Sequence, residues 1–291
     1  MRRAVIERLC RSDCGILPTS SPSVQLFRFT NSIPRQPATY GPSIVVIVEG
    51  EKAARLAGVD LVYNEQESLL VTGNLPLECT YRASIDKPLI GIILRVDPED
   101  IRTYARLLTE PSNALKTAHT LTARFAHPVK TSPAMFEVID RVLALLESEL
   151  TARLFVNSAI RELLFHALSS MDSADLGAYC LDTPLTRIAA ALRWIDQHPQ
   201  SRPTVTQLAK QCGMSVSSLQ RHFRAYTGRS PAHFIRIVRL TKARAMLETR
   251  QGSVKEIALT MGYVSVPRFS SDYRALFGHP PSETPALIFS R

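Results

Sequence analysis

The chain has no apolar run long enough to span a membrane. Its longest such stretches, Ile44-Val-Val-Ile-Val48 and Leu89-Ile-Gly-Ile-Ile-Leu94, fall far short of the roughly 20 residues a bilayer requires. Arg2-Arg3 does not open a secretion signal, because Glu7, Arg8, Arg11 and Asp13 interrupt any apolar core after it. Cysteine is sparse and unpatterned. Cys10, Cys14, Cys79, Cys180 and Cys212 are scattered, odd in number and without a CxxC pair. That usage argues against a disulfide framework and for reduced thiols in the cytoplasm. Histidine does not occur before His119, so the β-rich first part lacks the His/Glu cluster of a metal-bearing barrel. GxSxG, Walker A and GxGxxG motifs are all missing. No catalytic residue, cofactor or metal is expected.

Acidic residues are scarce in the last third. Residues 181–291 hold 16 Lys/Arg against 6 Asp/Glu, whereas residues 1–180 hold 19 against 20. A near-neutral part joined to a basic part points to a sensing or oligomerising unit that carries a polyanion-binding unit. At 291 residues there is room for two cores.

Residues 1–42 are broken by Pro18, Pro22, Pro34, Pro37 and Pro42, with one strand expected at 24–30. From Ser43 to Val96, short apolar or alternating runs separated by turn signals predict several strands, a small sandwich or barrel. Asp97-Pro98 should cap a helix to about Leu108. Residues 109–133 read as an irregular loop. Helices over about 134–150 and 153–169 form an antiparallel pair. Their two apolar faces either cover the barrel or make a homodimer interface, or both. The expected organisation is a regulatory domain over 1–171, a linker over 172–184 and a DNA-binding domain over 185–291.

That last assignment rests on an internal repeat. Leu208-Ala209 and Gly213 overlie Ile257-Ala258 and Gly262 at an offset of 49. At an offset of 50, Ser215, Val216, Leu219, Phe223, Arg224, Ala225, Gly228 and Pro231 meet Ser265, Val266, Phe269, Tyr273, Arg274, Ala275, Gly278 and Pro281. The second copy has one extra residue, Val264, in its turn. A small Ala lets two helices cross closely, and a Gly four residues later permits a left-handed turn. The pattern is a duplicated helix–turn–helix, and double-stranded DNA is the expected partner.

A helix over about 230–249 joins the copies and should set two readers roughly 34 Å apart, one duplex turn. In the first reader, about 216–227, Leu219, Phe223 and Tyr226 face inward. Ser217, Ser218, Gln220 and Arg221 then point outward as base readers. Arg221 suits guanine and Gln220 suits adenine, while His222 is read as a packing residue. The second reader, about 266–277, presents Val266, Pro267, Ser270 and Ser271, which offer thymine-methyl contacts or single hydrogen bonds. Its half-site should be less strictly specified. Arg224, Arg229, Arg239, Lys242, Arg268 and Arg274 are expected on phosphates.

The stretch 185–281 resembles the AraC/XylS family of bacterial transcription regulators. The residues that carry the resemblance are Ser253-Val-Lys-Glu-Ile-Ala-Leu-Thr-Met-Gly-Tyr263, Arg268-Phe-Ser, Phe277-Gly-His-Pro-Pro281 and Arg239-Leu-Thr-Lys-Ala-Arg-Ala-Met-Leu247. Two departures stand out: Ser271 where the family often has a basic residue, and Thr284 where it often has an aromatic. The second implies a looser C-terminal cap. Tyr40-Gly-Pro-Ser-Ile, Val48-Glu-Gly-Glu-Lys, Leu69–Gly73 and Arg161-Glu-Leu-Leu are similar to the regulatory domain of one subgroup. The resemblance implies an α+β chain: a cupin-like barrel with a helical hairpin, then an all-α domain with two helix–turn–helix motifs. It also implies that the barrel domain binds a small-molecule effector and dimerises; docking on two groove segments should place the protein to contact RNA polymerase, and it should act in the cytoplasm over the nucleoid. Effector-binding residues cannot be named from its motifs. Two alternatives stay open: a redox or electrophile sensor using Cys10 and Cys14, and an effector-independent regulator controlled by a protein partner.

Overall fold

The computed structural model describes residues 2–10, 15–109, 124–180, 182–201 and 203–284. Among the described residues ten strands, all paired antiparallel, form two sheets. One has the order β1 (Gly15–Pro18), β2 (Val24–Phe29), β9 (Leu89–Arg95), β4 (Ser43–Glu49), β7 (Glu67–Val71), β10 (Ala126–Lys130). The other runs β3 (Ile33–Tyr40), β8 (Leu75–Arg82), β5 (Glu51–Leu56), β6 (Val59–Asn64). Period-2 burial follows from the pleat: in β5, Lys52, Ala54 and Leu56 face the interior while Glu51, Ala53 and Arg55 face outward. The two sheets make the cupin-like barrel. Gly91 lets them close, since a Cβ there would lie 2.3 Å from both the Phe27 ring and the Val46 carbonyl oxygen.

Helix α1 (Arg2–Leu9) buries Ile6 and lies against α3 (Pro133–Leu145). Arg2 pairs with Asp140 at 2.7 Å and stacks over the Phe136 ring. Helix α2 (Pro98–Leu108) starts where Asp97 accepts the Glu99 N–H at 2.8 Å with Pro98 in the first turn. Helices α3 and α4 (Glu149–Ser169) form the expected hairpin. Most of its apolar residues go into the core: Ile139, Val142, Leu143, Ile160, Leu163 and Leu164 are buried. One face of α4 does not, leaving Leu150, Leu154, Phe155 and Phe165 between 44% and 67% exposed.

The sequence reading is corrected in several places. Strand β10 lies inside the stretch 109–133 expected to be irregular; residues 110–123 of it fall outside the described ones. The expected linker 172–184 contains a helix, α5 (Ser173–Cys180). Its Leu176 and Tyr179 are buried, and the Tyr179 hydroxyl bonds Thr72 at 3.0 Å and the Arg124 carbonyl at 2.7 Å. This segment is packed onto the barrel because its apolar residues have a face to cover. Helix α1 and strands β1 and β3 were not anticipated.

The α-helices that follow are α6 (Pro184–Gln197), α7 (Val205–Gln211), α8 (Val216–Thr227), α9 (Pro231–Glu248), α10 (Val254–Thr260) and α11 (Val266–Phe277). The apolar core is continuous from the barrel through α6 into α8 and the first part of α9. The second helix–turn–helix has a separate core of Leu240, Ala243, Ile257, Ala258, Met261, Phe269 and Tyr273. Gly91→Ala overpacks the barrel with no flexible neighbour to yield, and should lower stability by about 1–3 kcal/mol, read as a fall in melting temperature.

Candidate nucleic-acid interface

The two helix–turn–helix units are built by the same local chemistry. Helices α7 and α10 open with capping boxes, Thr204 with Gln207 and Ser253 with Glu256. In the second box, hydrogen bonds from Ser253 hold the Glu256 carboxyl below the usual carboxylate range. Gly213 and Gly262 take φ of +61° and +78° in the turns. Ser215 and Ser265 then cap the second helices by accepting the N–H groups of Ser218 and Arg268. Gly228 and Gly278 end them in the left-handed conformation. Leu219 and Phe223 in α8, and Phe269 and Tyr273 in α11, are fully buried against the first helices. The extra residue of the second turn, Val264, stands 82% exposed at its tip.

On α8 the predicted base readers lie together on the open face: Ser217, Gln220 and Arg221 are exposed and Ser218 half-buried. Arg221 approaches His222 at 3.4 Å. His222 is half-buried and stacks on Tyr226 with ring centres 6.1 Å apart, as a packing residue would. Burial, then the Arg221 cation, push its pKa down. On α11, Pro267 and Ser271 are exposed and Val266 and Ser270 half-buried. None is a two-pronged donor.

The cations divide into two groups. Arg224, Arg268 and Arg274 are exposed, with Arg268 leaning on Asp272 at 3.3 Å. Arg239, Lys242 and Arg229 are not held out to solvent, which corrects the expectation that they are poised for phosphates. Arg239 donates to the carbonyl oxygens of Pro199, at 2.6 Å, and Ser201. Lys242 pairs with the Asp196 carboxylate at 2.9 Å. Those three acceptors lie at or just past the end of α6, where carbonyl groups lack helical partners. Arg229 pairs with Glu78 of strand β8. Tyr226, expected inward, is half-buried against Phe125 of the barrel unit, ring centres 5.8 Å apart.

Helix α9 has 18 residues, so it spans about 27 Å. Between it and α11 lies a cleft of about 440 Å³, lined by Arg236, Arg239, Tyr263, Ser265, Arg268 and Asp272 among others. Asp272 gathers this wall: Tyr263, Arg268 and Arg236 approach it at 3.4, 3.3 and 3.9 Å. Burial, then the Asp272 charge, raise the Tyr263 pKa to about 12. Thr284, expected to leave a looser end, bonds the Tyr273 hydroxyl at 2.7 Å and so ties the segment after α11 to its core.

A second group was not singled out from the sequence. Lys52, 1% exposed, sits inside the barrel and donates to the Tyr40 hydroxyl. Its ammonium lies 4.2, 5.2 and 5.4 Å from the ring centres of Tyr81, Tyr40 and Phe27. No carboxylate among the described residues pairs with it, and burial pushes its pKa down. The Tyr63 hydroxyl beside it is buried without a hydrogen bond of normal geometry. The signal was present in the alternation of β5, which puts Lys52 on the same face as Ala54 and Leu56. Cys10 is buried, as is Cys79, whose thiol is pushed up by burial; Cys14 lies outside the described residues. Among the described residues no helix is long and apolar enough to cross a membrane, and no group of His, Cys, Asp and Glu forms a metal cluster.

A two-sheet barrel with a helical hairpin, joined to a duplicated helix–turn–helix, is the architecture of a DNA-binding transcription regulator. The family model for the N-terminus of AraC-type transcriptional regulators matches residues 20–174, and a helix-turn-helix domain model matches 208–286. The chain belongs to the AraC-type transcriptional regulators. Among curated relatives, it is 27% identical over 202 residues to the probable thc operon regulatory protein of Rhodococcus erythropolis, covering 68% of this chain and 53% of that one. It is 35% identical over 96 residues to the regulatory protein SoxS of Salmonella typhimurium, covering 33% of this chain and 90% of SoxS. The transcriptional activator RhaS of Escherichia coli is 24% identical over 154 residues, covering 53% of this chain and 55% of RhaS. The chain thus matches about half the length of the thc regulator and of RhaS. The fold is shared with ToxT of Vibrio cholerae O395, at TM-score 0.59 and 14% identity over 92% of this chain and 99% of that one. A ToxT structure from strain SCE256 holds an unsaturated fatty acid, at TM-score 0.56 and 13% identity over 89% of this chain and 93% of that one.

Two substitutions separate reading from scaffolding. Arg221→Ala should weaken binding by about 1–3 kcal/mol at one half-site, seen as selective loss of protection in footprints. Lys242→Ala should lower the melting temperature and leave the salt dependence of DNA binding unchanged, because its ammonium is committed to Asp196.

Proposed function

We propose that the protein is a sequence-specific, dimeric transcription factor that binds two successive major-groove segments per subunit. The observation that carries this reading is the open face shared by Ser217, Gln220 and Arg221 on the first of two duplicated readers. In this reading residues 1–171 regulate, 172–184 connect and 185–291 bind DNA. Arg221 and Gln220 read bases, and Ser218, Val266, Pro267, Ser270 and Ser271 support them through weaker contacts. Arg224, Arg268 and Arg274 hold phosphates. The protein acts by binding, in the cytoplasm over the nucleoid, and contacts RNA polymerase from its promoter sites.

Dimerisation is assigned to α4, whose exposed Leu150, Leu154, Phe155 and Phe165 make an apolar face next to the barrel. Effector binding is assigned to the barrel interior, where Lys52 would take the acid group of a small amphipathic acid. The supporting observations are the burial of an ammonium with no acid partner among the described residues and the fatty acid held by ToxT. A buried, unpaired cation is unfavourable by several kcal/mol, and an incoming carboxylate would relieve that.

The reading is tested by selecting genomic fragments with the purified protein and footprinting the winners at physiological salt. Two protected segments about one helical turn apart, roughly 34 Å, are expected. Diffuse, salt-sensitive protection would overturn it. Phe155→Glu with Leu154→Glu should convert a dimer into a monomer in sedimentation. Lys52→Met should abolish any shift in melting temperature caused by fatty acids while leaving DNA protection intact.

A further inference from the structure

The first reader is held to the barrel by an interface of its own. Gly228, the cap of α8, lies so close to the β5–β6 turn that a Cβ would meet the Ala57 Cα at 2.7 Å. Ala57 itself takes a left-handed φ of +50°. Beside this contact Tyr226 rests on Phe125, and a cleft of about 210 Å³ is lined by Leu56, Leu61, Arg124 and Tyr226 among others. Two side-chain bonds close the seam. The Arg229 guanidinium reaches Glu78 on β8, and Arg244 donates to Gln36 on β3 at 2.6 Å. The strands are neighbours, with Pro37 opposite Glu78 and Gln36 opposite Cys79.

The Arg229–Glu78 pair is three-quarters buried on one side and two-thirds on the other, with side-chain exposures of 26% and 31%. His233 stands 3.3 Å from Arg229, and its pKa is pushed down by burial first and then by the cations Arg229 and Arg236, so no second cation competes there for Glu78 near neutral pH. Arg229 directly follows the capping glycine of α8 and precedes the N-cap of α9, in the turn between the first reader and the joining helix. A guanidinium at that turn has two competing anions: the Glu78 carboxylate when the seam is closed, and a DNA phosphate when it is not.

We propose that Glu78 is a positioning residue that holds Arg229 in reserve, so that the closed seam between barrel and first reader withholds one phosphate contact from DNA. The inference rests on the DNA-binding reading but not on the effector. The Glu78 carboxylate, bonded to the Arg229 guanidinium, neutralises the charge that a DNA phosphate would take, so the two anions compete for it. Strand β8 is also the place from which the barrel can govern this exchange. Glu78 points out toward Arg229, while the adjacent Cys79 and the Tyr81 beyond it are buried on the Lys52 side. One strand therefore faces the barrel interior and the reader at once.

The test is binding of the full chain to duplex DNA across a salt series, with wild type, Glu78→Gln, Arg229→Ala and the double variant. Glu78→Gln keeps the size of the side chain and removes the competing charge. It should bind about threefold to tenfold tighter at physiological salt. The plot of log affinity against log salt should steepen by about 0.9, one added phosphate. In the Arg229→Ala background, Glu78→Gln should change neither quantity. An unchanged or shallower slope for Glu78→Gln, or a gain that persists without Arg229, overturns the proposal. Two duplexes are used, the selected site and a random sequence of equal length. The slope change is expected on both, so loss of sequence specificity, which would sink the reading of the function, is told apart from failure of the latch. Melting curves identify a variant that fails to fold; Glu78→Ser then serves in place of Glu78→Gln, with the same slope change expected.

Discussion

The placement of both readers depends on how the joining helix grips the end of α6. A helix ends with carbonyl groups that have no partner of their own, and here two cations of α9 supply them. Arg239 takes the carbonyls of Pro199 and Ser201, and Lys242 takes Asp196. The loop so fixed is the surface on which the second turn rests: a Cβ at Gly262 would lie 2.6 Å from the Gln200 carbonyl oxygen. A glycine needed for its left-handed turn is thus needed a second time for close approach. The distance between the readers follows from a polar clamp at one end of a 27 Å helix, on the scale of ~1.5 Å per residue.

The repeat was legible in the sequence because its signals are local. Serine caps, left-handed glycines and an apolar residue at each fourth position depend only on nearby backbone, and α8 and α11 start and end where the pattern put them. The barrel strands from Ser43 to Arg95 were legible for the same reason, through alternation and turns. What was not legible depends on distant partners. Strand β3 carries Pro34 and Pro37 and, among the described residues, pairs with β8 at the edge of its sheet, a place that tolerates missing N–H groups. Helix α5 looks polar and small until Tyr179 finds Thr72 and Arg124 far away in the chain. Arg229, Arg239 and Lys242 read as phosphate ligands because nothing nearby in sequence competes for them. Their acceptors, Glu78, Ser201 and Asp196, lie between 38 and 151 residues away.

The barrel interior presents the opposite case. Lys52 carries a positive charge on a face otherwise made of Ala54, Leu56 and aromatic rings. Tyr81, Tyr40 and Phe27 offer the ammonium their ring faces, a weaker substitute for an anion than a carboxylate. The wall that contributes Tyr81 also carries Glu78, so charge in the interior and charge at the seam are separated by the thickness of one strand. Electrostatics rather than shape is the common currency of the two places.

The division of the apolar core has a dynamic consequence. Barrel, α6 and the first reader share one continuous interior, whereas the second helix–turn–helix packs with the end of α9 around a separate set of buried residues. Regions with separate cores open as separate cooperative units, and the smaller opens more readily. The second reader is thus able to fray and re-form while the first stays locked to the barrel. Its amide protons should exchange with solvent ahead of those in α8. A chain with two similar readers on one frame thereby contains a fixed finger and a yielding one.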